Sequence, residues 1–313
     1  MKDPGERTSI GPRVLLAGPR SFCAGVERAI ETVERAIERF GPPVYVRRQI
    51  VHNRHVVSEL ESRGAVFVHE LDEVPDGATV VFSAHGVAPA VSETARARGM
   101  KVVDATCPLV AKVHHEVRRF TERGYQVVLI GHHGHDETEG TLGEAEGVAL
   151  VEEPADVAAL DVRDPEKVAY ITQTTLSPQD VGGVVRELSN RFPSMIGPRS
   201  TDICYATQNR QDAVVAIAGE CDLILVVGSN NSSNAARLVE VATRVGCPAT
   251  LIEDESQLGP DLVRGANTVG VTAAASTPPA VVERVVAALN ASSVEERVLR
   301  TEQVHFPLPQ EVR

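Results

Sequence analysis

The 313-residue sequence contains no tryptophan, and aromatic residues make up only 4% of it. Basic residues are in the minority: 31 Lys and Arg against 43 Asp and Glu give a net charge of −12. A nucleic-acid platform needs a basic face and stacking rings, so that class is excluded. No apolar run approaches the ~18 residues of a membrane span, and no membrane partner is expected. The N-terminal MKDPGERTSIGP is polar, lacks the apolar stretch of a secretory signal, and reads as a loose tail. A cytoplasmic location is therefore the expectation. The five cysteines are odd in number, widely spaced and include no C-x-x-C pair, so they do not form a disulfide framework. In a reducing compartment they are core residues, nucleophiles or metal ligands.

What the chain does have is a recurring unit. In KVVDATCPLVAKV, Val102 and Val103 form a short buried strand that stops at Asp104. Pro108 marks the first position of a helix, where its missing N–H costs nothing. Cys107 thus lies among unpaired N–H groups at the positive end of a helix dipole, which stabilises thiolate. Arg13–Phe22 likewise delivers Cys23 to CAGVERAIETVERAIERF, and the short run Ser200–Ile203 delivers Cys204 to CYATQNRQDAVVAIAGE. Cys221 follows a helix end and Cys247 lies in a turn, so both read as structural.

The repeat continues past the cysteines. Each helix is followed by a strand (Val44–Val51, Gln126–Gly131, Leu223–Gly228) and a polar loop. The loops begin at His52, His135 and Ser232, which lie 29, 28 and 28 residues after their cysteines. A helical segment, a strand with acidic residues and another buried strand follow in each unit. That last strand ends in Ser83-Ala84-His85-Gly86, Thr172-Gln173-Thr174-Thr175 or Thr272-Ala273-Ala274-Ala275-Ser276, and a proline comes six residues after each loop begins. The N-terminal strand supplies what the third unit lacks. The expectation is an α/β fold of three pseudo-symmetric units with small parallel sheets arranged around a central site. The units span 13–106, 107–203 and 204–290, with a C-terminal tail over 291–313.

Loops at the carboxyl ends of parallel strands are where such folds bind ligands. Three thiolates converging from helix starts can hold a metal. Iron–sulfur cubanes usually take four cysteines, so three would leave one iron open. A zinc site is the weaker option without a C-x-x-C pair. The polar loops suit a phosphorylated ligand, since helix N-termini, hydroxyls and amides bind anions. His52, His85 and His135 can add charge, and Ser232, Asn234 and Ser276 neutral hydrogen bonds. Few Lys or Arg accompany them, so binding is expected to depend on protonated histidine. His55, His69, His114, His115, His132, His133 and His305 fall outside the matched columns and are given no role.

Several motifs together resemble the 4-hydroxy-3-methylbut-2-enyl diphosphate reductase family. They are Phe22-Cys23-Ala24-Gly25-Val26, Val51-His52-Asn53, Ser83–Gly86, Asp104–Val110, Gly134–Thr141, Thr172–Ser177, Asp202–Thr207 and Gly228–Asn234. The resemblance runs from about Arg13 to Pro309. It implies reductive removal of the hydroxyl from an allylic alcohol diphosphate, giving isopentenyl and dimethylallyl diphosphate, the last step of the non-mevalonate pathway. It also implies a 4Fe–4S cluster on Cys23, Cys107 and Cys204, with an electron donor such as ferredoxin or flavodoxin. Carried over position by position, His52, His85, His135, Ser232, Ser233, Asn234 and Ser276 bind the diphosphate. Glu137 is implied as the proton source, with Thr174 beside the substrate hydroxyl. Two positions depart from the family pattern: Ser21 and Ala274 stand where glycine is usual, and a positive φ at either would carry strain. The rival readings are a non-catalytic iron–sulfur sensor of a phosphorylated ligand and a cluster-free phosphate-ester transferase.

Overall fold

A computed structural model describes residues 11–259 and 261–313. The stretch read as an N-terminal tail lies, through Ile10, outside the described residues, and Gly11 and Pro12 open the first strand. In chain order the elements begin β1 (Gly11–Gly18), α1 (Ala24–Phe40), β2 (Val44–Arg47), α2 (Arg54–Ser62), β3 (Ala65–Val68), β4 (Thr79–Phe82), α3 (Pro89–Ala97) and β5 (Lys101–Asp104). Next come α4 (Pro108–Glu122), β6 (Gln126–Ile130), α5 (Asp136–Leu142), β7 (Ala149–Val151), β8 (Val168–Thr172), α6 (Pro178–Arg191) and α7 (Tyr205–Ala218). The last are β9 (Leu223–Val227), α8 (Ser233–Arg244), β10 (Ala249–Ile252), β11 (Thr268–Ala273), α9 (Pro279–Ala288) and β12 (Ala291–Val298).

Three small parallel sheets result, with strand orders 3-2-4-5, 7-6-8 and 10-9-11-1-12. The chain forms two compact units. One comprises the described residues through Phe22 together with those of Asn209–Glu302 and holds the five-stranded sheet; the other comprises Cys23–Gln208 and Gln303–Arg313 and holds the remaining two sheets. In the five-stranded sheet both faces are covered, which is why its central strands read as unbroken apolar runs such as LILVV. Leu15 packs with Val214, Ile217 and Leu238 on one face, while Val14 packs with Val271, Val281 and Val285 on the other. In the 7-6-8 sheet, Leu129 faces Val113, Val117 and Phe120 of α4, and Val128 and Ile130 face Val184 and Leu188 of α6. Each fully buried Leu or Ile contributes ~1.5–3 kcal/mol to such a core.

The repeated acidic stretches have a local explanation. Glu70 with Glu73, and Glu153 with Asp156, form capping boxes on short 3-10 turns, and Asp254 caps a third. Three segments differ from expectation. The strand over Val44–Val51 ends at Arg47 because Arg48 turns left-handed at φ 56°. No strand forms over Ser200–Ile203; side chains take its backbone role, as Asp202 Oδ2 accepts the Thr172 N–H at 3.1 Å and Thr201 Oγ1 accepts the Ile203 N–H at 3.2 Å. The stretch read as a C-terminal tail begins with β12, which pairs in parallel with β1 from Gly11↔Ala291 to Gly18↔Val298.

The two departures at glycine positions separate cleanly. Ser21 has φ 63°, whereas Ala274 has an ordinary backbone and is fully buried beside Gly228. A left-handed conformation costs an L-residue roughly 1–2 kcal/mol. Ser21→Gly is therefore expected to stabilise the protein by about 1 kcal/mol, less the extra entropy glycine brings to the unfolded chain. Ala274→Gly should destabilise it. The urea midpoints of the two variants check the pair, and a Ser21→Gly midpoint below wild type would count against strain at this turn.

Candidate active site

Cys23, Cys107 and Cys204 all belong to the unit Cys23–Gln208. Cys23 is the N-cap of α1 and Cys107 the N-cap of α4; Cys204 immediately precedes α7, and its sulfur accepts the Ala206 N–H at 3.3 Å. Two of the polar loops grip the following cysteine: Cys107 N–H donates to Ala84 O and Cys204 N–H to Thr174 O, both at 2.9 Å. Gly25 is required where it stands. A Cβ there would lie 2.8 Å from Cys107 Sγ and 3.8 Å from Cys23 Sγ, filling the space beside both sulfurs. Cys107 is not the ready thiolate that its helix start suggests. Burial pushes Cys107 up to about 12, the neighbouring Cys23 and Cys204 sulfurs add to it, and the Leu109 and Val110 N–H groups offset only part. Three half-buried thiols, with the Cys107 sulfur held up by the other two, fit a metal centre, where a cation displaces the protons. Cys221 and Cys247 lie in the other unit; the Cys247 thiol, in the core, donates to Cys221 O at 3.4 Å.

The three histidines meet. The His52 and His85 rings stack with centroids 4.1 Å apart, and His135 stands edge-on to them at 5.2 and 5.8 Å. His135 caps α5, its Nδ1 accepting the Glu137 N–H at 3.1 Å, so the neutral ring carries its proton on Nε2. Sequence reading missed two neighbours. Asp136 Oδ2 lies 3.8 Å from His85 Nδ1 and 4.0 Å from His52 Nε2, and Arg48 binds the other Asp136 oxygen as well as Glu139. Asp136 could have been found, since it sits between two assigned residues; nothing in the sequence ties Arg48 to this loop.

Burial opposes protonation of these histidines, so the charge expected on them would have to come with a bound anion. Burial lowers the pKa of His52, burial and the other two imidazoles lower His85 further, and burial with His52 and His132 takes His135 to about 4 against the opposing pull of Asp136. The imidazoles are neutral at pH 7, and a bound anion would raise their pKa values. The sign for stability follows. An unfolded histidine titrates near ~6.5 and binds more protons than these do, so stability is lost as pH falls from there toward about 4. Urea unfolding at pH 7 and pH 5 is expected to show this loss, reduced in His135→Asn and by added pyrophosphate. An equal loss in wild type and His135→Asn would remove His135 from the effect.

Glu137 is the other singular group. It is 2% exposed, and Thr174 engages both its oxygens, the backbone N–H donating to Oε1 at 2.6 Å and the hydroxyl to Oε2 at 3.0 Å. Burial raises its pKa to about 7, against the lowering effect of those two bonds. It thus holds a proton near neutrality, as a general acid must.

The remaining assigned residues gather in their own unit. Ser232 caps α8, and Asn234 Oδ1 accepts the Ala275 N–H at 3.1 Å, joining the Ser232–Asn234 turn to the loop that carries Ser276. Ser232, Asn234 and Ser276 are buried, and Ser233 is half-buried. Among the histidines given no role, His114 is also buried, with Nδ1 2.7 Å from Glu144.

The profile of the LytB protein family matches residues 14–290. The chain is 55% identical over 283 residues to the 4-hydroxy-3-methylbut-2-enyl diphosphate reductase of Methylococcus capsulatus, covering 88% of this chain and 90% of that one. It is 56% identical over 279 residues to 4-hydroxy-3-methylbut-2-enyl diphosphate reductase 2 of Mycobacterium bovis, covering 87% and 85%. The solved E-1-hydroxy-2-methyl-but-2-enyl-4-diphosphate reductase of Plasmodium falciparum superposes with a TM-score of 0.92 at 38% identity over 97% of both chains. A second structure is described as (E)-4-hydroxy-3-methyl-but-2-enyl diphosphate reductase, the terminal enzyme of the non-mevalonate pathway. It gives a TM-score of 0.63 at 33% identity, over 89% of this chain and 99% of that one. With its three cysteine-led repeats matched across nearly their whole length, the chain belongs to the LytB family.

Proposed function

We propose that this protein reduces 4-hydroxy-3-methylbut-2-enyl diphosphate to isopentenyl and dimethylallyl diphosphate. Two electrons and two protons are consumed, and the allylic hydroxyl leaves as water. The observation that carries this reading is Glu137. A wholly buried carboxyl poised near neutrality, one residue from the histidine cluster's Asp136, is what protonation of a hydroxyl on an anchored anion needs.

Cys23, Cys107 and Cys204 would hold the 4Fe–4S cluster. Bound there, it would supply the electrons and an iron with no protein ligand. Glu137 gives its proton to the leaving hydroxyl, while Thr174 keeps the carboxyl fixed through two hydrogen bonds. His135 offers Nε2–H to the diphosphate, and His52 and His85 take up protons as the anion arrives. Ser232, Ser233, Asn234 and Ser276 are neutral hydrogen-bonding groups of the kind that suits a diphosphate.

The electron donor is a small low-potential carrier such as ferredoxin or flavodoxin, and the reaction runs in the cytoplasm. No described helix is long and apolar enough to cross a membrane. The test is anaerobic assay of cluster-loaded protein with a chemical reductant and the allylic diphosphate. Both isomeric products are expected. Ligand binding without turnover in loaded protein would favour a sensor instead.

A further inference from the structure

Each cysteine-bearing segment is gripped by a cation on the helix that another cysteine opens. Arg28 stands on the second turn of α1. Its Nη1 donates to the carbonyls of Ala105 and Thr106, both at 3.0 Å, and its Nε to Pro307 O at 2.8 Å. Ala105 and Thr106 are the two residues before Cys107. Lys112 holds the matching position on α4. Its Nζ donates to the carbonyls of Ser200 and Thr201 and to the Asp202 carboxylate, all at 3.0 Å, just ahead of Cys204. Arg210, one residue further along α7, donates to Ser21 O from Nη2 at 2.7 Å and Nε at 3.2 Å, and to Phe22 O at 3.3 Å. Ser21 and Phe22 lead into Cys23. The cycle closes: α1 holds the Cys107 segment, α4 the Cys204 segment and α7 the Cys23 segment.

Chain entering a helix leaves carbonyls without partners in regular structure, and these must find donors in the protein or in water. Water or a neutral side chain would satisfy them. Here all three sets are met by a long cationic side chain, whose charge-assisted bonds are shorter and stronger. We infer that Arg28, Lys112 and Arg210 are positioning residues that fix the three cysteine-bearing segments for one shared cluster, given that Cys23, Cys107 and Cys204 hold it as proposed above. They touch no reacting atom and act through the cysteines.

The three clamps differ in charge. Lys112 is paired with Asp202 and Arg210 with Glu302, each at 3.0 Å. Among the described residues Arg28 has no carboxylate within ion-pair distance; Asp104 and Glu311 act on it only from further off, as does Cys107. Arg28 therefore keeps a positive charge beside Cys107, which favours the more negative, reduced form of whatever the cysteines hold. It both positions its segment and raises the reduction potential.

The experiment reconstitutes the cluster anaerobically in full-length wild type, Arg28→Met, Arg28→Lys and Lys112→Met. Iron per chain, the rate of iron release to a chelator and the reduction potential are then measured. Release is expected to be about 10-fold faster in Arg28→Met and Lys112→Met, the equivalent of losing one hydrogen bond to a charged group. Arg28→Lys should also release faster, because one ammonium cannot reproduce the forked grip, yet it should keep the wild-type potential. Arg28→Met should have a more negative one. Should Arg28→Met fail to fold, Arg28→Lys and Lys112→Met carry the test. Wild-type release rates in both would overturn the clamp, and an unchanged potential in Arg28→Met would overturn its electrostatic half. Wild-type protein that takes up no cluster would bring down the cofactor assignment itself, and the clamp with it.

Discussion

Replacing Cys107 by serine is expected to leave the protein folded, nearly free of iron and inactive. The Cys107 thiol is bound up with the other two. Its sulfur borders Gly25, as that of Cys23 does, and both neighbouring sulfurs push its pKa upward. Its N–H is fixed to Ala84 O, so the side chain at this position starts from a determined place. A serine hydroxyl occupies less space, ionises far less readily and is a poor ligand for iron beside thiolates. The fold should survive, because the helix start relies on Pro108 at its first position and the cysteine side chain makes no cap hydrogen bond. Cys221→Ser and Cys247→Ser provide the contrast. Both sulfurs pack in the five-stranded unit, Cys221 against Gly270 and Cys247 in the α8 core, and their loss should lower stability by about 1 kcal/mol while leaving iron unchanged. Iron per chain and visible absorption after anaerobic purification decide the matter. A full iron complement in Cys107→Ser would remove this cysteine from the ligand set, and loss of iron in Cys247→Ser would show that the set was misassigned.

The features legible in the sequence are those set by local chemistry. Cys107 at a helix start followed from a strand that stops, a proline at the first helical position and an amphipathic run behind it, and the repeat carried the reading to Cys23 and Cys204. The central strands were legible because burial on both faces demands unbroken apolar runs. Strand β12 was not, since ASSVEERV at a sheet edge is exposed on most of its length and carries no period that separates it from a tail. Ser200–Ile203 failed for the opposite reason: its apolar end sits where side-chain hydrogen bonds, rather than a ladder, satisfy the backbone. The histidine positions could be matched through the repeat, and Glu137 through the family resemblance. Their charge states could not, because neutrality of the imidazoles comes from burial and mutual proximity, which exist only after folding. Arg28 and Lys112 were invisible for a related reason. Their partners ahead of Cys107 and Cys204 lie 77 to 90 residues away, and a cation on an exposed-looking helix turn has no local signal of what it will reach.

Glu137→Gln is expected to lower turnover by ~10²–10⁴-fold while leaving binding of the allylic diphosphate and iron content unchanged, since that is the usual contribution of a positioned proton donor. The amide preserves shape. Its carbonyl oxygen can still accept the Thr174 N–H where Glu137 Oε1 does now at 2.6 Å, and its NH2 can donate to the Thr174 hydroxyl, reversing the present bond. What the amide cannot do is give up a proton. Stability supplies an independent readout with a definite sign. The folded pKa of Glu137, about 7, lies above its unfolded value, so the folded state binds the proton more tightly. Below the unfolded pKa of ~4.3 both states are protonated and nothing is gained or lost. As pH rises from there to about 7 the buried carboxyl becomes steadily less favourable, and above that the penalty is complete. Glu137→Gln escapes it, so the variant should be more stable than wild type at pH 8 and nearly equal to it at pH 4. The wild-type rate should decline as pH rises through the same region, because the acid form is being consumed, and the variant's residual rate should lack that limb. Unfolding midpoints at the two pH values, together with pH–rate profiles under saturating reductant, test all three statements. Near-normal turnover in the variant would leave Glu137 as a buried anchor for Thr174, and a stability gain with an unchanged pH–rate profile would assign the proton to another group.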